Sequence, residues 1–544
     1  MSDTLQNRYV HYIIFTLIPV VLFITAYFFK EAGGPYYLNY YDPGYVYLVN
    51  SINLMELEDI GHTDHPGTPV QIFGAVILKI MLPDKTDEQI LETVFSNPEY
   101  YLNVLNKTLV ILNCLALYFL GLFIYSKTSN LSLSILIQLS PFISSEILYG
   151  LVIVSPENFL ILSSLCLIAV LFYIVYNNDS EKHMLALSII SALICGFGTV
   201  SKLNFLPVCL LPLLVLKGAK YKLIYTSGAI LTFLILFSPA FSKLSQFSGW
   251  AGNLIFNSGI HGHTELSNFS LQLYISNIAD IFSRDVFFAL IYMLIIIVLI
   301  LSLFLKSVHN SKEEDILCKK ERRVLFAVIL TITFQILVVA KNYMPYAQYY
   351  IVPSLMLTVT GLAFLISYSL RRFKIFQNTV PAKVFTAAVV IVGLFSVFET
   401  RSSIAEASEF RDESIKVNNI IKEYSKTGSV IPSVGTANED CALALSVMFD
   451  YSGKRKEIYK KVFSKKSSSV IFHDFWKNKL FALSDSTDIY KFLSGKKMVV
   501  FQLMSVTTID MIIEMLKEDY NIVVKDWKLI LKNENQESVY EVYL

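Results

Sequence analysis

Long apolar runs separated by short polar stretches fill the first 400 positions of this 544-residue chain. Eleven runs have the length and composition of membrane-spanning helices: near 10–29, 104–125, 131–149, 157–176, 184–201, 203–216, 223–241, 286–305, 324–340, 348–369 and 380–398. The sixth, "LNFLPVCLLPLLVL", is short and carries two prolines, as a broken helix lining a cavity would. The first is followed by no small-residue cleavage site and reads as a permanent anchor. Past residue 400 the period changes. "SVIPSVG", "SSSVIFHDF", "KKMVVFQL", "NIVVKDW" and "SVYEVYL" alternate as short strands. "NEDCALALSVMFDY" and "TTIDMIIEMLKEDY" have helical spacing between some of them.

The pattern predicts an α-helical polytopic membrane protein with about 11 spans and juxtamembrane helices in an external loop, 30–103, followed by a soluble α/β domain. We divide the chain into residues 1–399 and 400–544. The basic loops 217–222, 306–323 and 371–374 fall on one side of such a bundle. If that side is cytoplasmic, the loops 30–103 and 242–285 and the C-terminal domain lie outside.

Composition agrees. Hydrophobic residues make up 54% and charged ones 16%, with a mean hydropathy of +0.53, more apolar surface than a soluble enzyme needs. A net charge of +1 gives no reason to invoke nucleic acid. Five of the six cysteines, Cys114, Cys166, Cys195, Cys209 and Cys318, fall in or beside apolar runs, and Cys441 stands alone. They form neither a disulfide framework nor a zinc pattern. The C-terminal part carries no GxGxxG or P-loop.

Charge is scarce, so its concentration in "YYDPGYVYLVNSINLMELEDIGHTDHPGTP" (40–69) stands out. Asp42-Pro43 is the favoured start of a helix, an N-cap followed by proline at the first helical position. Asp42 also follows the first span, where partial desolvation raises a carboxylate's basicity and suits it to act as a general base. His65 sits in a Pro-Gly turn; binding a phosphate, binding a cation and capping the next helix are all open to it. Thr68-Pro69 already supplies that cap. His62, Asp64 and His65 match no specific metal spacing, and a divalent metal is left open. Glu157 follows Pro156 as a first-turn acid. Lys202 and Lys341 end apolar runs, where lysines ordinarily snorkel to the interface.

Four stretches together resemble the GT-C superfamily of membrane glycosyltransferases, in particular the protein O-mannosyltransferases and the aminoarabinose transferases of lipid A. They are the acidic residue, juxtamembrane helix and His-Pro turn of 40–69, "YGLVIVSPENFL", "GFGTVSKLNFLP" and "VVAKNYMPYAQYYIVP", spread over residues 10–370. Pro43 stands where relatives often have a second acid, and "HPGTP" where many have two prolines. The resemblance implies a polyprenyl-phosphate sugar donor and transfer with inversion. Asp42 would take the acceptor proton. Lys202, Lys341, Tyr346 and Tyr349 would stabilise the departing phosphate, and an apolar groove would hold the prenyl tail. Glu157 would orient the acceptor or hold a metal.

The glycine- and histidine-rich stretch 248–265 is expected on the same side, with His261, His263 and Glu265 as candidate contacts in a lid or acceptor-facing loop. "GKRKEIYKKVFSKK" (453–466) holds seven basic residues against one acid, either a solvated face or an attraction to anionic acceptors or headgroups. An Ile/Lys-rich, cysteine-poor chain suits a bacterium, with undecaprenyl phosphate as the lipid and an envelope glycolipid or polysaccharide as the acceptor. A transporter or flippase of lipid-linked sugars would share the spans, but should show internal repeats and midplane charges, and neither is evident. A non-catalytic scaffold and a glycan polymerase or ligase are further alternatives.

Overall fold

A computed structural model of the chain describes residues 2–39, 41–259, 269–304, 312–342, 348–373, 380–426, 430–448, 450–467, 471–483, 487–504 and 506–544. Among these, nine helices are long and apolar enough to cross a membrane, or ten if the bent pair Leu131–Phe142 and Ser145–Val152 counts as one span. The expectation of eleven is corrected where proline interrupts the backbone ladder. The third run bends by 71° around the turn that holds Pro141. The sixth is a tight 3-10 segment, Leu203–Cys209, followed by the short helix Leu210–Val215, with Pro207 and Pro212 inside. The last span does not stop near residue 398. It continues as one 46-residue helix, Val380–Ser425, that reaches the C-terminal α/β region.

After the one-turn helix Tyr36–Asn39, three longer ones occupy the loop that follows the first span: Tyr41–Met55, Thr68–Met81 and Asp87–Ser96. The last opens on a capping box between Thr86 and Gln89. Thr68–Met81 begins with Pro69 in its first turn and Gly67 before it at φ 70°. A Cβ on Gly67 would lie 2.4 Å from the Tyr47 hydroxyl, so this turn requires glycine for both conformation and space.

The C-terminal region holds β1 (Val430–Pro432), β2 (Ile471–Asp474), β3 (Lys479–Ala482), β4 (Met498–Leu503), β5 (Asp526–Lys532) and β6 (Ser538–Tyr543). β1, β4, β6 and β5 form a sheet in that order; β1 is parallel to β4 and the other pairs are antiparallel. β2 and β3 form a separate hairpin. "NIVVKDW" is only partly strand. Asn521 takes the left-handed conformation that ends helix Ile509–Tyr520, so β5 begins at Asp526.

This region packs on the juxtamembrane helices, on the same side of the bundle. One apolar cluster runs through both, joining Tyr45, Val49 and Phe95 to Val434, Tyr459 and Phe463. Asn50 and Asn53 donate to the carbonyls of Tyr451 (2.8 Å) and Ser452 (3.0 Å). The basic stretch serves the same junction. Lys454 pairs with Asp59 (2.6 Å) and Lys465 with Glu92 (3.3 Å), while Lys466 donates to the carbonyl of Phe95. Exposed pairs of this kind contribute about 0–1 kcal/mol each, so the shared apolar cluster carries the docking and the charges set its register.

Candidate functional site

The site forms where three chain breaks meet. The first is the turn His65–Gly67, whose backbone pairs with the second, the break at Ser201–Leu203. Gly67 N donates to Ser201 O (3.2 Å) and Leu203 N to His65 O (3.1 Å). His65 takes a φ of 85° there. The third is the loop before Glu157, held by asparagines of neighbouring helices. Asn106 donates to Leu151 O (2.7 Å), and Asn158 to Gly150 O and Ile153 O (2.8 Å each). These bonds occupy the carbonyls that the bent chain exposes, which a low-dielectric interior requires.

The breaks bring Lys202 onto Glu157, Nζ to Oε1 at 2.5 Å. Lys202 is 3% exposed and Glu157 2%, so neither snorkels. This buried ion pair replaces the interface-anchor reading of Lys202; Glu157 is a first-turn acid of helix Glu157–Tyr176, as expected, and has the lysine as a partner besides. The ammonium also lies 4.3 Å from the ring centroid of Tyr349 and 4.5 Å from that of Tyr350, a desolvated cation–π arrangement. Those tyrosines are held from behind: Asn204 Nδ2 (2.6 Å) and Gln335 Nε2 (3.1 Å) both donate to Tyr350 O.

Asp42 faces this pair from the juxtamembrane side. Its backbone is extended (φ −105°, ψ 120°), and the helix proper starts at Pro43. Among the described residues its carboxylate accepts no hydrogen bond, so it is not the cap that the Asp-Pro sequence suggests. The side chain is open to solvent, yet surrounding protein pushes the carboxyl up to about 6, with Asp64 adding to the rise and Lys202 opposing it. Accessible surface and poor solvation coexist in a group that lines a recess.

Tyr47 lies between the elements. Burial raises its phenol well above the ordinary value, and Glu157, Asp42, Asp64 and Tyr350 act in the same direction, so the hydroxyl stays protonated beside the carboxylates. Tyr47, Tyr350 and Asp64 were not singled out for this role in the sequence. The adjacent Tyr349 was the only local hint of Tyr350, and Tyr47 sits inside a helix where tyrosine is unremarkable.

An apolar groove of about 590 Å³ opens beside the pair, lined by Leu203, Leu206, Pro207, Leu254, Val338 and neighbouring side chains. Its polar end carries His65, Tyr350, Lys341 and Asn342. The His65 ring stands edge-to-face on Trp250, with centroids 5.2 Å apart. Lys341 lies at this groove, away from Lys202's ion pair, and donates to the carbonyls of Leu254 (3.4 Å) and Ile255 (2.5 Å) at the end of helix Leu244–Phe256. It ties two groove walls together.

Tyr346, His261, His263 and Glu265 lie outside the described residues. No three His, Cys, Asp or Glu side chains gather to hold a metal among the described residues. His62 packs between Tyr47 and Tyr451 while His65 faces Trp250, so the two do not converge on a common ligand.

No family model matches the sequence, and no curated protein matches it. Among solved structures, the chain is similar to the crystal structure of ArnT from Cupriavidus metallidurans bound to undecaprenyl phosphate, at 9% identity over 97% of each chain and a TM-score of 0.48.

Proposed function

We propose that this protein is an inverting membrane glycosyltransferase that moves a sugar from a polyprenyl-phosphate donor to a hydroxyl of an envelope glycolipid or polysaccharide. One observation carries the reading: a poorly solvated carboxylate with no hydrogen-bond partner among the described residues lies in the field of a buried lysine, and an apolar groove opens beside that lysine at Leu203 and Tyr350. A base, an electrophilic cation and a lipid-sized apolar channel are what this transfer requires.

Asp42 takes the proton of the acceptor hydroxyl as its oxygen attacks the anomeric carbon. The bond from that carbon to the lipid phosphate breaks, and both of its electrons leave with the phosphate. Lys202 meets the growing charge. Glu157 engages one donor of the ammonium, which has three, and the Tyr349 and Tyr350 rings hold it in place. The substrate phosphate therefore meets a cation that is already oriented. Glu157 acts by positioning Lys202. In this reading the prenyl chain lies in the groove between Leu206 and Val338. Asp42 and the C-terminal domain face the extracytoplasmic side, in agreement with the basic loops on the other side of the bundle.

Blocking the groove tests this assignment. Val338→Trp is expected to raise the donor KM about tenfold or more, with little change in the kcat reached at saturating donor, because the tail binds remote from the reacting bond. A photoreactive polyprenyl phosphate should crosslink to the wild-type groove and lose that label in the variant. Unchanged KM and labelling would remove the groove from the donor site.

A further inference from the structure

The C-terminal domain reaches into the juxtamembrane loop with one turn, Asp450–Arg455. Asn50 and Asn53 hold its carbonyls, Lys454 pairs with Asp59, and Gly453 at φ 65° lies so close to Asp59 and Gly61 that a Cβ would come within 3.0 Å of Asp59 O. The turn places the Tyr451 ring edge-to-face on His62, with centroids 5.1 Å apart. Burial pushes the Tyr451 phenol above its ordinary value, with Asp64 and then Asp42 adding to the rise; through His62 the ring joins Tyr47, which lies in the field of Asp42 and Glu157.

Beneath Tyr451 the wall is polar and unsatisfied. His62 is 6% exposed, and among the described residues neither ring nitrogen has a hydrogen-bond partner. The Tyr47 hydroxyl, Thr63 Oγ1, Thr68 Oγ1 and Gln71 Oε1 are likewise buried without hydrogen-bond partners among the described residues. They form one patch: Tyr47 packs on His62 at 5.4 Å, Gln71 donates to His62 O (3.1 Å), and Thr63 and Thr68 flank the two turns. Burial holds the His62 imidazole below its ordinary value and therefore neutral, with one donor and one acceptor nitrogen. Unpaired buried polar atoms are costly unless a ligand supplies partners.

We propose that Tyr451 and the patch beneath it form the acceptor subsite, and that the acceptor group bound there is an uncharged saccharide. This rests on the glycosyltransferase reading. An attacking hydroxyl must approach the anomeric carbon opposite the leaving phosphate, which puts the acceptor on the Asp42 flank away from Lys202 and the groove. Hydroxyl groups both donate and accept, as this mixed neutral set demands. A phosphorylated acceptor would meet Asp42 and Asp64 with no cation supplied by the patch. The tyrosine ring offers an apolar face to a sugar ring.

The experiment uses the full chain in liposomes, with whichever radiolabelled undecaprenyl-phosphate sugar the wild type consumes fastest. Two reactions are followed: slow hydrolysis with water as the acceptor, and transfer to either octyl maltoside or a bis-phosphorylated glucosamine disaccharide lipid. The wild type is expected to prefer octyl maltoside by about tenfold or more. Tyr451→Phe should raise the acceptor KM about tenfold, the loss of one neutral hydrogen bond. Tyr451→Ala should raise it further, and in both variants the donor KM read from hydrolysis should change far less than the acceptor KM. A preference for the phosphorylated lipid, or an acceptor KM that stays at the wild-type value or rises no more than the donor KM, overturns the proposal. Absence of donor consumption by the wild type instead overturns the transferase reading on which it rests.

Discussion

Asp42→Asn should reduce sugar transfer by about 10²- to 10⁴-fold in kcat, with the protein present at its normal level and unfolding at an unchanged temperature. The stability half of this expectation comes from the structure. The carboxylate accepts no hydrogen bond among the described residues, so an isosteric amide removes basicity without removing a support. The same group fixes the pH profile. Protein crowding and Asp64 raise its carboxyl to about 6, and a base works only when deprotonated. Wild-type kcat/KM should therefore fall about tenfold per pH unit below about 6 and level off above it. Replacing Asp64 by Asn removes one cause of the rise and should move that break to lower pH. A profile flat down to the ordinary carboxylate range, or an Asn variant with near-normal transfer, would take Asp42 out of the chemistry.

Lys202→Met should be nearly as damaging to activity and far more damaging to stability. Loss of the cation that faces the leaving phosphate is expected to cost about 10²–10³ in kcat. It also strands Glu157 as an uncompensated buried acid, for which a loss of about 3–5 kcal/mol is typical. The two effects separate in the double variant. Glu157→Gln combined with Lys202→Met should recover most of the lost thermal stability, because both charges are gone and only a polar amide remains. It should recover none of the transfer, because nothing replaces the cation. Thermal unfolding and transfer assays on the wild type, Lys202→Met, Glu157→Gln and the double variant measure both. Recovery of activity together with stability would make the pair a structural brace only.

Most spans were legible in the sequence because a bilayer demands about 20 consecutive apolar residues, a local property of the chain. The two that differ, 131–149 and 203–216, are apolar enough but broken at prolines, and composition alone does not say whether a broken run crosses. Asp42, Glu157, Lys202, Tyr349 and His65 were visible as polar residues at the ends of apolar runs. Their pairing was not. Glu157 and Lys202 are 45 residues apart, and only the packing of their helices decides whether the charges meet or each reaches water. Asp42 misled locally: Asp-Pro favours a helix cap and the extended backbone at Asp42 is that of a cap, yet its carboxylate accepts no amide hydrogen bond among the described residues. Tyr451 was illegible for a different reason. Its partner His62 lies in another region of the chain, and no short-range pattern joins a turn of an α/β domain to a juxtamembrane loop. The basic run at 453–466 was legible as charge but not as purpose, since the acids it meets, Asp59 and Glu92, are set by the same docking.

A transferase site of this kind breaks the bond between a sugar and a lipid phosphate. The most direct measurement is the release of undecaprenyl phosphate from undecaprenyl-phosphate sugars by the purified protein in liposomes, beside the Asp42→Asn variant. The wild type is expected to release the lipid phosphate in step with sugar appearing on the acceptor, and the variant to release almost none. Intact lipid-linked sugar that crosses between leaflets without cleavage, equally in both proteins, would contradict it and make the groove a path for transport.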